Sequence, residues 1–496
     1  MQLKQLIDSP CGLKYMIDNL DTHSGYTRRL LLDSEMPKNN VEIETKYQIL
    51  KEFYNVVNQK NNLNQINTLQ FKLCNLKEIQ GTINHLKNKY ILDDIELFEV
   101  KHLAILSSDI QVIIDKLHLD GCVFIPNLEE VISILDPDGM KIATFYIYDS
   151  YNERLKELRR LMKEKEEFDE ALFAEASSIE DEVRAKLSMR LSKYADDLEA
   201  AQKALAFIDL NLAKAFQMIK MNLVFPTISH DGETEYKGLF NPEIKNILDE
   251  NTSSSNRRDV SLHVSNPKEK ESNFQPISIR FGTRPTIIMG TNMGGKTVVL
   301  KTLALCQYLF QYGFGIPAAE AKILIQNDLF LCTTDEQSVQ RGLSSFAAEM
   351  KNIDEIVRTS RVRSGFLALV DEPARTTNPT EGTALVSALV KVLQEKQMSL
   401  IIVTHYNINT YNNRCLRVRG FENGRMNYEL VEVKDGEVPH EALNIAESLG
   451  VDSEWLEEAR KSLIMSNSTQ LNFSNLRGLD SKGSNSVPLK EKGELK

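Results

Sequence analysis

The chain lacks the features that would place a protein in a membrane or outside a cell. None of its apolar runs reaches the roughly 18–20 residues of a membrane span. Its start, Met1-Gln2-Leu3-Lys4-Gln5-Leu6 followed by Asp8 and Pro10, has neither the charged n-region nor the apolar h-region of a secretion signal. Six cysteines (Cys11, Cys74, Cys122, Cys306, Cys332 and Cys415) form no CxxC pair and no framework spacing. Reduced thiols in a cytoplasm are expected, and a zinc site is not. Basic charge is also short: the formal net charge is -11, a balance that disfavours a protein whose main task is gripping phosphate backbones. From Tyr151 to about Met221 there is no proline and no glycine.

At 496 residues and 42% hydrophobic content, the chain is long enough for about three domains with sizeable cores. Residues 1–150 alternate short helical patterns with polar breaks, as in Tyr47 to Val57, and end in a small strand signal at Ile142 to Tyr148 after the turn Asp136-Pro137-Asp138-Gly139. In residues 151–250, Leu155, Leu158, Met162 and then Leu187, Leu191, Tyr194, Leu198 recur at helical steps. That predicts helical arms, a long antiparallel pair turning near Ser177-Ser178. Residues 251–275 are polar and serine-rich, a flexible loop. Residues 276–436 alternate apolar strands with helices, the pattern of a parallel α/β sheet. Residues 437–465 read as a helical element, and 466–496 as a disordered tail rich in Ser, Asn, Gly and Lys.

The segment with most chemical content is Gly290-Thr291-Asn292-Met293-Gly294-Gly295-Lys296-Thr297. It follows the apolar run Pro285 to Met289 and precedes a helix-compatible stretch, the strand–loop–helix context of a phosphate loop. Glycines let backbone N–H groups crowd around a polyphosphate, Lys296 neutralises β/γ oxygens, and Thr297 suits Mg²⁺. ATP with Mg²⁺ is the expected ligand. Phe366 to Val370 is a second apolar strand, ending in Asp371-Glu372. There Asp371 is placed to hold Mg²⁺, and Glu372 to orient or deprotonate an attacking water. A third strand, Leu400 to Thr404, ends in His405. A lone histidine is more often structural; beside a phosphate loop it also reads as a γ-phosphate sensor. Gly342-Leu343-Ser344-Ser345-Phe346 by itself is a helix start with Ser344 as cap.

Together these motifs resemble the MutS family of DNA mismatch-repair ATPases, a branch of the ABC-type P-loop fold. Asn292 to Thr297 looks like that family's phosphate loop, and Asp335-Glu336 through Ser344-Ser345-Phe346 and Glu349-Met350 like its signature segment. Thr404-His405-Tyr406 looks like its switch, and His440 to Ala459 like the helices that close its ATPase domain in a dimer. The likeness is dense from about Ile277 to Leu463 and looser upstream, at Gly12 to Tyr15, Arg28 to Leu32 and Leu92 to Phe98. It implies an ABC-type ATPase domain behind a helical core and lever, acting as a homodimer or as a heterodimer with a related paralogue. In that dimer Ser344 of one subunit would complete the ATP site of the other. Asn266-Pro267 looks like the Asn-Pro ahead of the family's phosphate loop.

Three departures bear on the target. The chain starts at the core, so a mismatch-reading domain is not expected. Between Lys165 and Arg184 there is no Lys or Arg but a run of acids, Glu166, Glu167, Asp169, Glu170, Glu175, Glu180, Asp181 and Glu182. Such a run repels phosphates or is simply a solvated face. Finally, Pro373-Ala374-Arg375-Thr376-Thr377-Asn378-Pro379 resembles the MutS-related ATPases associated with lysine 5,6- and ornithine 4,5-aminomutases. That likeness implies reactivation of a cobalamin- and pyridoxal-phosphate-dependent aminomutase as the client activity. The competing expectation is a DNA-binding ATPase acting on mismatched or branched duplex. No Smr-type nuclease module is expected in the polar tail.

Overall fold

The computed structural model describes residues 1–140, 144–165, 169–255, 274–290, 295–333, 345–406, 408, 413–422, 425–433, 443, 446–447 and 450–461. The first part is helical: α1 (Leu3–Leu6), α2 (Leu13–Asp18), α3 (Gly25–Asp33), α4 (Asn40–Asn58), α5 (Leu63–Leu73), α6 (Gln80–Lys87), α7 (Asp94–Lys116) and α8 (Glu129–Leu135). Local chemistry sets these boundaries. Asp93 and Glu96 form a reciprocal capping box at the start of α7, and the Asn39 side chain accepts the Val41 N–H at the start of α4. In α4, Ile43, Tyr47, Leu50 and Phe53 are buried at steps of three and four, so one stripe faces the core.

Among the described residues of 153–221 there are three helices in place of one antiparallel pair: α9 (Glu153–Glu164), α10 (Glu170–Leu191) and α11 (Ala195–Met221), the last two joined by a single 3-10 turn. Ser177 and Ser178 lie in the middle of α10, because serine costs a helix interior only a few tenths of a kcal/mol and breaks nothing. The break falls earlier, where Asp169 caps α10 by accepting the Ala171 and Leu172 N–H groups. Arg154–Glu175 and Arg159–Glu180 ion pairs share one offset of 21 residues. A constant offset marks helices running in the same sense, not an antiparallel hairpin.

The strand expected at Ile142 to Tyr148 is not one over its described part, 144–148, which is irregular. Of its aromatics Tyr148 is buried, while Tyr146 stays exposed. Tyr148 Oη lies 2.8 Å from buried Lys101 of α7, and Tyr151 donates to the Ile134 carbonyl at 2.7 Å.

Two sheets follow. The strands β1 (Thr227–Ile228), β2 (Glu233–Leu239), β3 (Ile277–Gly282) and β5 (Glu320–Ile323) form one in the order β1-β5-β2-β3. Thus residues 227–239, grouped with the arms from sequence, hydrogen-bond with strands of the α/β segment. Residues 251–255, expected in the loop, extend α12 (Pro242–Ser255). The second sheet contains β4 (Thr286–Met289), β6 (Leu329–Cys332), β7 (Leu367–Asp371), β8 (Ser399–Thr404), β9 (Arg414–Glu422) and β10 (Arg425–Glu432), in the order β10-β9-β4-β8-β7-β6. It is parallel except for β10, as the alternating pattern predicted. Alternate residues serve opposite faces. Ile288, Leu367, Leu369, Ile401 and Val403 join the core shared with α13 (Lys296–Gln311) and the helical part. Ile287, Ala368, Val370, Leu400 and Ile402 join a second core with α14 (Ser345–Val362) and α15 (Pro379–Leu393).

The C-terminal end of α13 is tied into the helical part. Tyr47 of α4 donates to the Phe310 and Phe314 carbonyls, and Lys214 of α11 donates to the Tyr312 carbonyl at 2.7 Å. Burial pushes the Lys214 ammonium well below the usual lysine pKa. The helix that starts at Lys296 therefore ends in direct contact with α11. Residues 453–461 are helical; most of the rest of the expected dimerisation element and the 466–496 tail lie outside the described residues, as does most of the 251–275 loop. Among the described residues no helix is long and apolar enough to cross a membrane.

Candidate functional site

The register of the second sheet decides which residues can meet. Met289 of β4 pairs with Thr404 of β8, and Val403 pairs with Asp371 of β7, so the carboxyl ends of three parallel strands align. Ligands of open α/β sheets bind at that edge. Beyond β4 the chain needs glycine twice: Gly290 has φ +141° and Gly295, capping α13, has φ +67°. A Cβ on Gly295 would lie 3.3 Å from the Tyr428 ring of β10. Thr291, Asn292, Met293 and Gly294 lie outside the described residues, and so do Ser344, Asp335, Glu336, Asn266, Pro267 and His440.

Lys296 and Thr297 open the first turn of α13 and point at β7. Lys296 is buried; its Nζ donates to the Gly290 carbonyl at 2.8 Å and lies 3.7 Å from Glu372 Oε1. The Thr297 hydroxyl donates to Asp371 Oδ2 at 2.7 Å. This pair brings a hydroxyl and a carboxylate oxygen to one point, a donor set that fits Mg²⁺. Among the described residues no cluster of three His, Cys, Asp or Glu could cage a metal. An ion at Thr297 and Asp371 would thus complete its shell with nucleotide and water oxygens, as Mg²⁺ does.

After Asp371 the backbone is strained. The Glu372 N–H still bonds to the Val403 carbonyl at 2.9 Å, but its φ is +43°, and Ala374 has φ +62°. Left-handed backbone in residues with a Cβ costs roughly 1–2 kcal/mol each and persists only where neighbours enforce it. Here they do. Glu349 Oε1 of α14 accepts the Ala374 N–H at 2.7 Å, and the Tyr406 hydroxyl donates to the Ala374 carbonyl at 2.7 Å. Arg375 stands 3.4 Å from Glu372 Oε2, on the side away from Lys296's contact oxygen. Burial raises the Glu349 carboxyl above its usual range, opposed by the bond from Ala374. Burial also raises the Tyr406 hydroxyl, helped by the charges of Glu349 and Glu372.

His405 follows β8 directly and is exposed, its ring 4.2 Å from that of Tyr406. It is not a packed core histidine. Sequence reasoning singled out Lys296, Thr297, Asp371, Glu372 and His405, set Tyr406 in the switch likeness and Arg375 in the likeness of the Pro373 to Pro379 loop, and gave no role to Tyr428. Tyr428 is placed by the β9–β10 hairpin, where Gln275 Oε1 accepts its N–H at 3.0 Å. No motif signals that contact.

Comparison with known proteins agrees with this geometry. Residues 286–463 match the model of MutS domain V. The chain is 32% identical over 286 residues to "Endonuclease MutS2" of Caldicellulosiruptor saccharolyticus, covering 55% of this chain and 32% of the relative. It is 28% identical over 319 residues to the protein of the same name from Caldanaerobacter subterraneus subsp. tengcongensis, covering 62% and 35%. With the Clostridium botulinum (strain Langeland) protein it shares 30% identity over 283 residues, 56% of this chain and 30% of the relative. The chain spans about a third of the length of these relatives. Residues 286–463 are thus similar to MutS domain V, and the chain is similar to these MutS2 relatives over little more than half of its length.

Proposed function

We propose that this chain is a Mg²⁺-dependent ATPase of the MutS type that works as a dimer on nucleic acid. The observation that carries the ATPase reading is the convergence of Lys296 with Glu372 and of Thr297 with Asp371 at one sheet edge. In this reading Lys296 neutralises the β/γ phosphates and Mg²⁺ is held by Thr297 and Asp371. Glu372 orients and deprotonates the water, and exposed His405 faces the γ-phosphate. Ser344 of a second subunit, homologous or paralogous, completes the site. Nucleotide state reaches the arms through α13, whose end is bonded to α11 by Lys214.

Two observations favour nucleic acid over an aminomutase client. The relatives above are named endonucleases. The acid run of α10 is also less repulsive than its sequence suggests. Asp169, Glu175, Glu180, Asp181 and Glu182 are ion-paired with Lys165, Arg154, Arg159, Arg184 and Lys186 of the same chain.

The test is ATP turnover with and without branched or mismatched duplex DNA. Stimulation that weakens steeply with salt is expected, since each phosphate contact contributes roughly one unit to the log–log salt slope. Stimulation by an inactivated cobalamin-dependent aminomutase, with none by DNA, would overturn the nucleic-acid assignment. Lys296→Ala is expected to weaken nucleotide binding itself, roughly tenfold or more, because it removes the charge-assisted contacts to phosphate. Equilibrium titration with a fluorescent ATP analogue reads that loss; an unchanged Kd would remove Lys296 from the site.

A further inference from the structure

We infer that Glu349 and Tyr406 are positioning residues for ATP hydrolysis, acting on Glu372 through the peptide of Ala374. The inference rests on the ATPase reading of the site and extends it to two residues that need not touch nucleotide. Ala374 lies two residues after Glu372, in left-handed backbone that alanine does not adopt unaided. Both of its hydrogen-bonding groups are held by side chains from different elements. Its N–H is bound by Glu349 of α14 and its carbonyl by Tyr406, which follows β8. Those bonds fix the turn that aims the Glu372 carboxylate, so the aim depends on where α14 and the end of β8 stand.

The connection has a direction. Glu349 lies little more than one helical turn along the sequence from Ser344, the residue that the family resemblance assigns to the opposite subunit's ATP site. Tyr406 adjoins His405, the proposed γ-phosphate sensor. Engagement of Ser344 by one nucleotide, and contact of His405 with the other, would both be read at a single peptide next to the proposed general base. Space around Tyr406 is also restricted. A methyl group added at Gly382 of α15 would collide with the Tyr406 hydroxyl, so that residue's position is fixed from behind.

The variants are Tyr406→Phe, which removes one hydroxyl, Glu349→Ala, and Glu349→Gln, which keeps an oxygen able to accept the Ala374 N–H. Steady-state Mg²⁺-ATP turnover and titration with a fluorescent ATP analogue are measured on the full chain. Tyr406→Phe and Glu349→Ala are expected to lower kcat by roughly 10–100-fold, the effect of displacing a reacting group by about an ångström. KM and the analogue's Kd should stay within about threefold, because no phosphate contact is removed. Glu349→Gln should recover most of the lost kcat, and Gly382→Ala should reproduce the Tyr406→Phe defect. A merely structural role would move binding with turnover and would not be rescued by glutamine. Normal kcat in both Tyr406→Phe and Glu349→Ala, in a protein whose turnover Lys296→Ala abolishes, would overturn the inference and leave the ATPase reading standing. Absence of any turnover sensitive to Lys296→Ala would overturn the ATPase reading and this inference with it. Should Glu349→Ala fail to fold, Tyr406→Phe carries the test alone.

Discussion

Replacing Glu372 by glutamine is expected to lower kcat for ATP hydrolysis by roughly 10²–10⁴-fold, the usual contribution of a positioned general base. The amide keeps the shape of the side chain and its place between Lys296 and Arg375 but cannot take a proton from water. Binding should persist, since Lys296, Thr297 and Asp371 are untouched. The variant should therefore accumulate with ATP bound and, in the dimeric reading, trap the closed pair. Single-turnover hydrolysis, nucleotide affinity and mass in solution with Mg²⁺-ATP read the three consequences separately. Hydrolysis at the normal rate would show that another group activates the water.

Lys101→Met should destabilise the helical part by about 3–5 kcal/mol, because it removes the ammonium paired with a buried carboxylate. Lys101 and Asp136 are both almost wholly inaccessible, with Nζ 3.1 Å from Oδ1. The same ammonium meets the Tyr148 hydroxyl at 2.8 Å, and lies 5.2 Å from the Tyr148 ring centroid. The cluster ties α7 to the end of α8 and to the segment that leads into α9, so its loss should loosen the base of the arms. Denaturant unfolding followed by far-UV circular dichroism measures the change. The double variant Lys101→Met with Asp136→Leu should recover much of it, since apolar replacements of a buried pair are often close to neutral. A single-variant loss under about 1 kcal/mol would mean that Asp136 finds another partner or reaches water.

How much was legible from sequence varied with the range of the interactions. The strands ending at Met289, Asp371 and Thr404 were readable because each is a short apolar run flanked by polar or glycine residues, and burial on both faces requires that pattern. The order β4-β8-β7 was not readable, yet it alone brings Thr297 to Asp371 and Lys296 to Glu372. The helical arms failed in a different way. Their periodicity gave helix correctly, but the place of the break depends on the Asp169 cap, and their relative direction is visible only in ion pairs 21 residues apart. Likewise the strand signal did not show that residues 144–148 are irregular or that Tyr148 meets buried Lys101.

By itself the sequence singled out Gly290 to Thr297, the acidic strand end at Asp371-Glu372 and His405, because each is a local arrangement of glycine, charge or apolar run; the exposure of His405 came only from the structure. Only the tertiary structure decided that Glu175 and Glu180 of α10 pair with Arg154 and Arg159 of α9, whereas Asp181 and Glu182 pair within their own helix at spacings of three and four. It alone showed that α13 ends against Lys214 of α11, and that Glu349 and Tyr406 close on Ala374. Pairing between separate elements depends on distance in space, which spacing along a chain encodes only within one helix.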